Sequence, residues 1–368
     1  MIMGFDGADL SERLSTMLAT FQPGGVILFK RNIADAAQTH SLLRQVEKTS
    51  AIPMFRCVDM EGGTVDRFRD VIAHIPSAYE VARTGSVKLF RKHGELIGSQ
   101  LRALGFNTDF APCVDLRLPE SVGVMGPRTV SNDPCETVRY AREFLAGLTR
   151  AQILGCGKHF PGLGGANLDS HHALPSVVRT WKQVWDQDLL AYCKLRFDFP
   201  FVMIAHVSYP RITRDKSPAS LSKKWITGVL REKIGYKGLV ISDDLDMGGV
   251  LNSVPIEEAA VQTLKAGSDM FLVCQKEESV WRAFEAVLQH AERSKPFAAS
   301  IAAKAKRVSA FKARSGPVRA KFAPVPNQSK VEALRVRAWE FSEAVRLSTP
   351  ANDTATTGIA EPIVELAR

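Results

Sequence analysis

The sequence lacks any apolar run close to the length of a membrane span. No stretch among its 368 residues approaches the roughly 20 apolar residues that a transmembrane helix requires. The N-terminal segment MIMGFDGADLSER has no basic region and turns acidic at once, unlike a secretory signal. A hydrophobic fraction of 45% and a charged fraction of 24% are typical of globular proteins. We therefore expect a cytoplasmic protein that does not bind membranes.

Paired cysteines are also lacking. The six cysteines are scattered and form no C-x-x-C pair, and four of them lie in or beside short apolar runs, namely Cys57, Cys113, Cys156 and Cys274. A free cysteine in such surroundings behaves as a small hydrophobic residue. We interpret the cysteines as reduced and structural, which disfavours a disulfide framework or a redox centre.

Nucleic-acid recognition motifs are lacking as well, although the net charge is +9. Residues 301–330 contain eight lysines and arginines and no acidic residue, so one late segment supplies most of the excess. No aromatic-rich basic groove accompanies these charges, so we expect no nucleic-acid partner. A solvated helix face is our interpretation of this segment, and attraction of an anionic substrate is a weaker alternative.

Short, almost continuously apolar runs recur along the first 275 residues, as expected for parallel strands that are covered on both faces. Amphipathic segments lie between them, and this alternation predicts a (β/α)8 TIM barrel. A doubly wound open sheet is the main alternative, but no glycine-rich phosphate fingerprint follows any run. The eight predicted strands span 2–7, 24–29, 54–59, 106–111, 155–160, 201–206, 238–244 and 269–274.

Two of the intervening helices have clear boundaries. One begins after a candidate N-cap, Ser222, and ends at Gly235, and the other runs from Pro255 to Gly267. We predict a catalytic barrel over residues 1–300, a basic helical extension packed on the barrel over 301–346, and a flexible tail over 347–368. The whole is expected to be a single-domain monomer.

Polar residues concentrate where the predicted strands end, which is the active-site face of such a barrel. Asp243 follows the seventh strand, and a carboxylate there can act as a nucleophile, a metal ligand or a helix cap; we favour one of the first two. The segment VDMEGGTVDRFR places Asp59 at a strand end and Arg67 beyond a glycine pair. Asp59 suits sugar hydroxyls as an acceptor, and Arg67 offers a rigid fork of donors.

The segment KHFPGLGGANLDSHHALP gathers titratable groups around glycine and proline. Lys158 and His159 end the fifth strand and should face the site, whereas Asp169 and His171 lie on the glycine-rich loop beyond it. A histidine with a pKa of roughly 6.5 suits proton transfer near neutrality, and a nearby aspartate orients its ring. A zinc site of His159, His171 and His172 is the alternative, but no H-E-x-x-H or comparable spacing is present.

Eight motifs, in this order, resemble family 3 glycoside hydrolases, and most closely the bacterial β-N-acetylglucosaminidases of peptidoglycan recycling. The resemblance runs from GFDG to about residue 275. It implies that Asp243 is the nucleophile of a retaining double displacement and that His171, assisted by Asp169, is the acid/base. It also implies a sugar site of Asp59, Arg67, Arg128, Lys158 and His159, without metal or organic cofactor. The motifs are DMEGGTVDRF, NTDFAPCVDL, MGPRTVSNDP, KHFPGLGGANLDSHHALP, MIAHVSYP, PASLS, GLVISDDLDMGGV and AGSDMFLVC.

Three positions depart from the family pattern: Met60, Thr64 and Leu163 stand where glutamine, arginine and a second histidine are common. We assign no chemical role to these three positions. Leu163, however, lies on the glycine-rich loop, so the missing histidine can change how the leaving group is held. The sequence thus predicts an exo-β-N-acetylglucosaminidase that acts on muropeptides. A family 3 β-glucosidase and an N-acetylglucosaminide phosphorylase stay open as alternatives, and an inactive sugar-binding barrel is the alternative outside enzymes.

Overall fold

The computed structural model describes residues 1–350, and eight parallel strands form its centre. Every strand lies inside, or one residue from, a range expected from the apolar runs, although most are shorter than expected. The strands are β1 (Ile2–Met3), β2 (Gly25–Leu28), β3 (Phe55–Val58), β4 (Thr108–Asp109), β5 (Cys156–Phe160), β6 (Phe201–Ile204), β7 (Leu239–Asp244) and β8 (Met270–Val273).

The sheet closes on itself. Strand β1 pairs with both β2 and β8, with Ile2 opposite Gly25 on one side and Leu272 on the other. The remaining gap between β4 and β5 is bridged by the Asp109 amide, which donates to the Leu154 carbonyl at 2.8 Å. The (β/α)8 barrel predicted from the sequence is therefore confirmed, and the carboxyl ends of all eight strands meet at one face.

Helices surround the barrel and alternate with the strands. None of the helices within residues 1–350 is both long and apolar enough to cross a membrane. The α-helices are α1 (Glu12–Phe21), α2 (Ala36–Lys48), α3 (Ala78–Arg83), α4 (Val87–Leu104), α5 (Val122–Met125), α6 (Pro134–Arg150), α7 (Trp181–Gln183), α8 (Leu190–Lys194), α9 (Pro210–Thr213), α10 (Gly248–Leu251), α11 (Ile256–Ala266), α12 (Glu277–Arg293), α13 (Lys295–Arg314), α14 (Gly316–Arg319) and α15 (Gln328–Ser348).

The helix predicted after Ser222 is present but is wound more widely than an α-helix. Residues Lys224–Lys233 form a π-helix, and the Ser222 hydroxyl accepts a hydrogen bond from the Trp225 amide at 3.4 Å. Its expected apolar stripe is buried: Trp225, Ile226, Val229 and Leu230 are at most 3% exposed. The spacing of the apolar residues fits an α-helix and a π-helix equally well, so it did not predict the π-helix.

The late basic segment lies largely in α13, which packs across the barrel's amino-terminal end. Phe311 contacts the rings of Phe55 and Phe201 at the barrel floor, with centroids 6.1 and 5.9 Å apart. The expectation of a fully solvated face is wrong for Lys312, which is only 5% exposed. Helix α15 extends to Ser348, two residues into the predicted tail, and residues 351–368 of that tail lie outside the described residues.

Candidate active site

One cavity of about 180 Å³ opens at the carboxyl ends of the strands. All eight residues singled out in the sequence line it, so the fold brings together side chains that are up to 184 positions apart in the chain (from residue 59 to residue 243). They are Asp59, Arg67, Arg128, Lys158, His159, Asp169, His171 and Asp243.

Glu61 organises one wall of this cavity, although no role was predicted for it from the sequence. Its carboxylate accepts two hydrogen bonds from the Arg128 guanidinium, at 2.9 and 2.8 Å, and forms an ion pair with the Lys158 ammonium at 2.7 Å. Burial raises the pKa of Glu61, but the two cations outweigh burial and hold that pKa well below its usual value. Glu61 is therefore a fixed anion and not a proton donor.

Lys158 links this wall to the end of β3. Its ammonium, 2% exposed, donates to the Asp59 carboxylate at 2.7 Å as well as pairing with Glu61. Burial lowers the pKa of Lys158, but the two carboxylates outweigh burial and hold that pKa above its usual value, so the ammonium stays charged. Arg67 contributes a second cation, whose buried Nε finds no hydrogen-bond partner within residues 1–350. Paired acceptors and donors of this kind suit the vicinal hydroxyls of a sugar.

His159 is held by Asp115, an aspartate to which the sequence analysis assigned no role. The Asp115 carboxylate lies 2.7 Å from His159 Nδ1 and accepts a hydrogen bond from the Leu163 amide at 2.7 Å. Burial raises the pKa of Asp115, but the imidazole and its hydrogen bonds lower it overall. Because Asp115 takes the Nδ1 side, the Nε2 side of the ring is left toward Arg128 and the cavity. The DFAPCVDL motif contained this signal, since its last residue but one is an acid that lies beyond a strand.

Asp243 and Asp244 end β7 but occupy different surroundings. Burial raises the pKa of Asp243, yet His159 and the Asp244 amide, which donates to it at 2.8 Å, lower the pKa overall. For Asp244, burial and the neighbouring Asp246 raise the pKa to about 7. Its carboxylate accepts from the Cys274 amide at 2.9 Å. Asp243 is therefore the anion of the pair near neutrality.

His206 supports this strand end from behind. Its Nε2 lies 2.8 Å from the Asp244 carbonyl and its Nδ1 lies 2.8 Å from the Ser220 hydroxyl. A carbonyl only accepts, so Nε2 carries the proton and Nδ1 accepts from the serine. Burial lowers the pKa of His206, which keeps the ring neutral.

His171 and Asp169 form a pair on the loop above the cavity. His171 Nδ1 lies 2.6 Å from the Asp169 carboxylate, which also accepts the His171 amide at 2.9 Å. The hydrogen bond lowers the pKa of Asp169 to about 2 and raises the pKa of His171 above its ordinary value. The histidine side chain is 61% exposed, so it remains open to a ligand from above.

The loop that carries this pair is seated on the short helix α10. The backbone amides of Gly248 and Gly249 donate to the carbonyls of His171 and Ser170, both at 3.0 Å. The side-chain amide of Asn252 donates to the His172 carbonyl at 2.9 Å. A Cβ on Gly249 would lie 2.7 Å from the Ser170 oxygen. The MGG sequence after the aspartate pair thus provides a close-fitting seat.

Four other polar residues at strand ends do not line the cavity, namely Asp6, Lys30, Arg31 and Asp109. Arg31 pairs with Asp6 at 3.1 Å, Lys30 pairs with Asp70 at 3.1 Å, and Asp109 is fully buried. The glycine pair 62–63 has positive φ angles of 80° and 60° and packs against residues 75–77. It makes a turn, but its close neighbour is the protein's own chain.

Two of the three histidines of the alternative zinc site are committed elsewhere. His159 pairs with Asp115 and His171 with Asp169. In the described part of the chain, a different trio, Cys113, Asp115 and His159, has ligand-type atoms within 4.8 Å of one another. These atoms satisfy each other, since the Cys113 thiol donates to Asp115 at 3.3 Å and the same carboxylate bonds His159.

Comparison with known proteins identifies relatives by sequence. A protein from Idiomarina loihiensis named beta-hexosaminidase is 34% identical over 296 residues, which is 79% of this chain and 88% of that protein. Another of the same name, from Thioalkalivibrio sulfidiphilus, is 36% identical over 293 residues, covering 78% and 84%.

Solved structures agree with these matches. A family 3 β-N-acetylglucosaminidase from Paenibacillus sp. superposes with a TM-score of 0.87 at 30% identity, covering 93% of this chain and 66% of that one. NagZ from Neisseria gonorrhoeae gives a TM-score of 0.71 at 27% identity, with coverage of 84% and 97%. The sequence model described as the glycosyl hydrolase family 3 N terminal domain matches residues 3–311. The chain therefore belongs to glycosyl hydrolase family 3.

Proposed function

We propose that this protein is a retaining exo-β-N-acetylglucosaminidase that removes terminal β-linked N-acetylglucosamine from peptidoglycan fragments. The arrangement that carries the proposal is an ionised Asp243 in the same cavity as the His171–Asp169 pair, with a wall of fixed charges for sugar hydroxyls. The names of the sequence relatives and the titles of the structural relatives support the choice of sugar.

In the proposed first step, the Asp243 carboxylate attacks the anomeric carbon and forms a glycosyl ester. The bond from that carbon to the leaving oxygen breaks, and the oxygen takes a proton from the His171 imidazolium. Asp169 stabilises the cation before transfer and holds the ring with Nε2 free. No second carboxylate near the nucleophile is needed, which differs from the usual pair of acids in glycosidases.

In the second step, the neutral His171 accepts a proton from water, whose oxygen attacks the anomeric carbon. The ester bond to Asp243 breaks, the carboxylate is restored and His171 is again an imidazolium. Two inversions give net retention. Asp59, Lys158, Arg67, Arg128 and His159 are proposed to orient the sugar, and His171 to contact the leaving group from the loop.

Asp244 is the main competitor for the acid role because its pKa is about 7. Its carboxylate, however, is only 7% exposed and accepts bonds from the Cys274 and Asp246 amides. His171 is both accessible and paired with an anion, so it suits proton transfer to a leaving group better. We further propose a cytoplasmic monomer, a location supported by six free cysteines.

Kinetics with aryl glycosides of glucose and N-acetylglucosamine, with and without inorganic phosphate, test this proposal. We expect the N-acetylglucosaminide to be cleaved faster, phosphate to leave the rate unchanged, and exhaustive chelation to have no effect. Nuclear magnetic resonance should detect the β-anomer as the first product. A purified muropeptide should lose its terminal N-acetylglucosamine. A phosphate-dependent rate, an α-anomer or a preference for glucose would contradict the proposal.

A further inference from the structure

A second cavity lies at the opposite end of the barrel, beneath the amino-terminal ends of the strands. Its volume is about 290 Å³, and α13 forms one of its walls. The lining is largely apolar, with contributions from Phe21, Met270, Phe284, Val287, Ile301 and Val308. A dry apolar cavity of about 150 Å³ is enough to take up benzene, so this one accommodates a larger molecule.

Lys312 is the residue that does not fit an apolar lining. Its side chain is 5% exposed and lies over the Phe55 ring, with its ammonium 4.8 Å from the centroid. Among residues 1–350 its ammonium makes no hydrogen bond or ion pair. An isolated buried ammonium is costly, and burial lowers the pKa of Lys312 to about 8.

The acidic residue near Lys312, Glu47, and the acidic residue in the cavity wall, Asp269, are already engaged. Glu47 pairs with the Arg56 guanidinium at 2.8 Å. Asp269 pairs with Arg231 at 2.5 Å and accepts the Val240 amide at 2.8 Å. The ammonium therefore faces the cavity as an unmatched cation.

The inward stripe of α13 contains a second lysine. Ile301, Lys304, Val308 and Lys312 recur at helical spacing and all line the cavity. Lys304 is partly buried. This stripe belongs to the basic segment that the proposed glycosidase function leaves unexplained. Lys304 and Lys312 stand among apolar residues on the face of α13 that packs against the barrel. Their position indicates a binding place for an anion and not a solvated surface.

We propose that this cavity binds a small amphipathic carboxylate, whose carboxylate pairs with the Lys312 ammonium and whose apolar body fills the space lined by the phenylalanines. A single negative charge fits better than a double one, because Glu47 stands near the Lys312 ammonium and Asp269 lines the same cavity, and both carboxylates repel excess negative charge. A charge-assisted hydrogen bond inside an apolar pocket supplies both affinity and orientation. The site lies at the far end of the barrel from Asp243 and is independent of the proposed glycosidase function.

Isothermal titration of the full chain with octanoate tests this inference, with octanol and octylammonium as probes of the head group. We expect octanoate to bind with one-to-one stoichiometry and to raise the melting temperature, and both other probes to bind at least about tenfold more weakly. Lys312→Met keeps the length of the side chain and removes its charge, so it should lose the preference for octanoate.

Two further variants separate charge from space. Lys306→Met is the matched control, since Lys306 lies on the exposed side of the same helix, and it should bind octanoate like the native protein. Ala305→Phe should obstruct the cavity and weaken all three probes. Glycosidase activity and near-ultraviolet circular dichroism of each variant report folding.

The inference is overturned if native protein shows no binding of octanoate, if octanol binds equally well, or if folded Lys312→Met retains native affinity. Any of these results would identify Lys312 as an interior charge without a ligand. They would leave the proposed function of the Asp243 cavity untouched, because that is measured by glycoside cleavage.

Discussion

Asp243 and His171 must hold opposite charge states in the first proposed step. The surroundings favour both states, since imidazoles and a backbone amide lower the pKa of Asp243 and the Asp169 carboxylate raises the pKa of His171. The charged pair therefore coexists over a pH range that is wider than the unperturbed values of these groups would give.

His171→Ala tests the acid role by its dependence on the leaving group. General acid help is worth typically about 10² to 10⁴ in rate, and it matters most when the leaving oxygen is basic. We expect a far larger loss on a disaccharide than on a dinitrophenyl glycoside in the sugar-transfer step. The second step still lacks its base, so stopped-flow kinetics should show a burst of phenolate, and azide should speed turnover.

The exposed neighbour supplies the control: His172→Ala should retain the native ratio of the two substrates. Equal losses on both substrates in His171→Ala, without burst or azide rescue, would transfer the acid role to another group.

Asp169→Asn tests how the histidine is tuned. Catalysis needs His171 protonated, so kcat/KM is retained below its raised pKa and falls as pH rises through it. Removing the carboxylate removes the largest cause of the raised pKa, so the basic limb of the profile should move to lower pH. Asp198→Asn, at an exposed position, is the control. An unmoved basic limb in Asp169→Asn would show that another group sets it.

At the scale of elements, the loop and α10 form a unit that sets where His171 stands. The seat is made from backbone groups: two glycine amides and the Asn252 side chain bind three consecutive loop carbonyls. Because α10 directly follows the strand of Asp243, nucleophile and acid are positioned from one segment of chain.

Gly249→Ala should disturb that seat without substituting any proposed catalytic residue. The added methyl group would lie 2.7 Å from the Ser170 oxygen and 3.1 Å from the His206 Cβ, so the loop must shift. A displacement near 1 Å can cost about 10² in rate. We expect a loss of that order in kcat on the disaccharide, with a smaller loss on the dinitrophenyl glycoside.

Gly228→Ala is the matched control, because a Cβ there meets no atom within 4 Å. If Gly249→Ala is folded and as active as Gly228→Ala on both substrates, the seat does not position the acid.

The strands were the elements most readily predicted from the sequence. Short, continuous apolar runs are typical of strands covered on both faces, and the polar residues at their ends located the site residues. The Lys224–Lys233 π-helix was not predictable in the same way, because its stripe of Trp225, Ile226, Val229 and Leu230 satisfies α-helical spacing equally well.

At the scale of the whole molecule, the Glu61 network ties together three parts of the active face. Glu61 follows β3, Lys158 belongs to β5 and Arg128 lies in the connection between β4 and β5. A buried anion between two cations is stabilising only while all its partners are present.

Glu61→Ala should therefore destabilise the fold as well as the sugar site. Removing one partner of a buried ion pair typically costs about 3–5 kcal/mol, because the remaining charges lose their compensation. Urea unfolding should show a loss of that order, compared with a negligible change for the exposed Glu285→Ala. A loss below about 1 kcal/mol, typical of surface pairs, would contradict a structural role for this network.

The partners that only the structure reveals are those defined by distance across the barrel. Asp115 and Glu61 appear in sequence as acids beyond strand ends, and nothing in the chain tells that one meets His159 and the other meets Arg128. Lys312 is a similar case: a helical segment rich in lysine looks solvated until the fold turns one of its faces inward. Sequence patterns identify which residues lie at the active-site face of the barrel. Which of these side chains contact one another depends on how the strands close into the barrel.

Trapping the covalent intermediate tests the central claim most directly. An activated fluorinated analogue of N-acetylglucosamine should inactivate the native enzyme with one-to-one stoichiometry, and peptide mass spectrometry should locate the sugar on Asp243. Asp243→Asn should stay folded, lose turnover and take up no label. A label on Asp244 or Glu61, or unimpaired turnover in Asp243→Asn, would contradict the proposed mechanism.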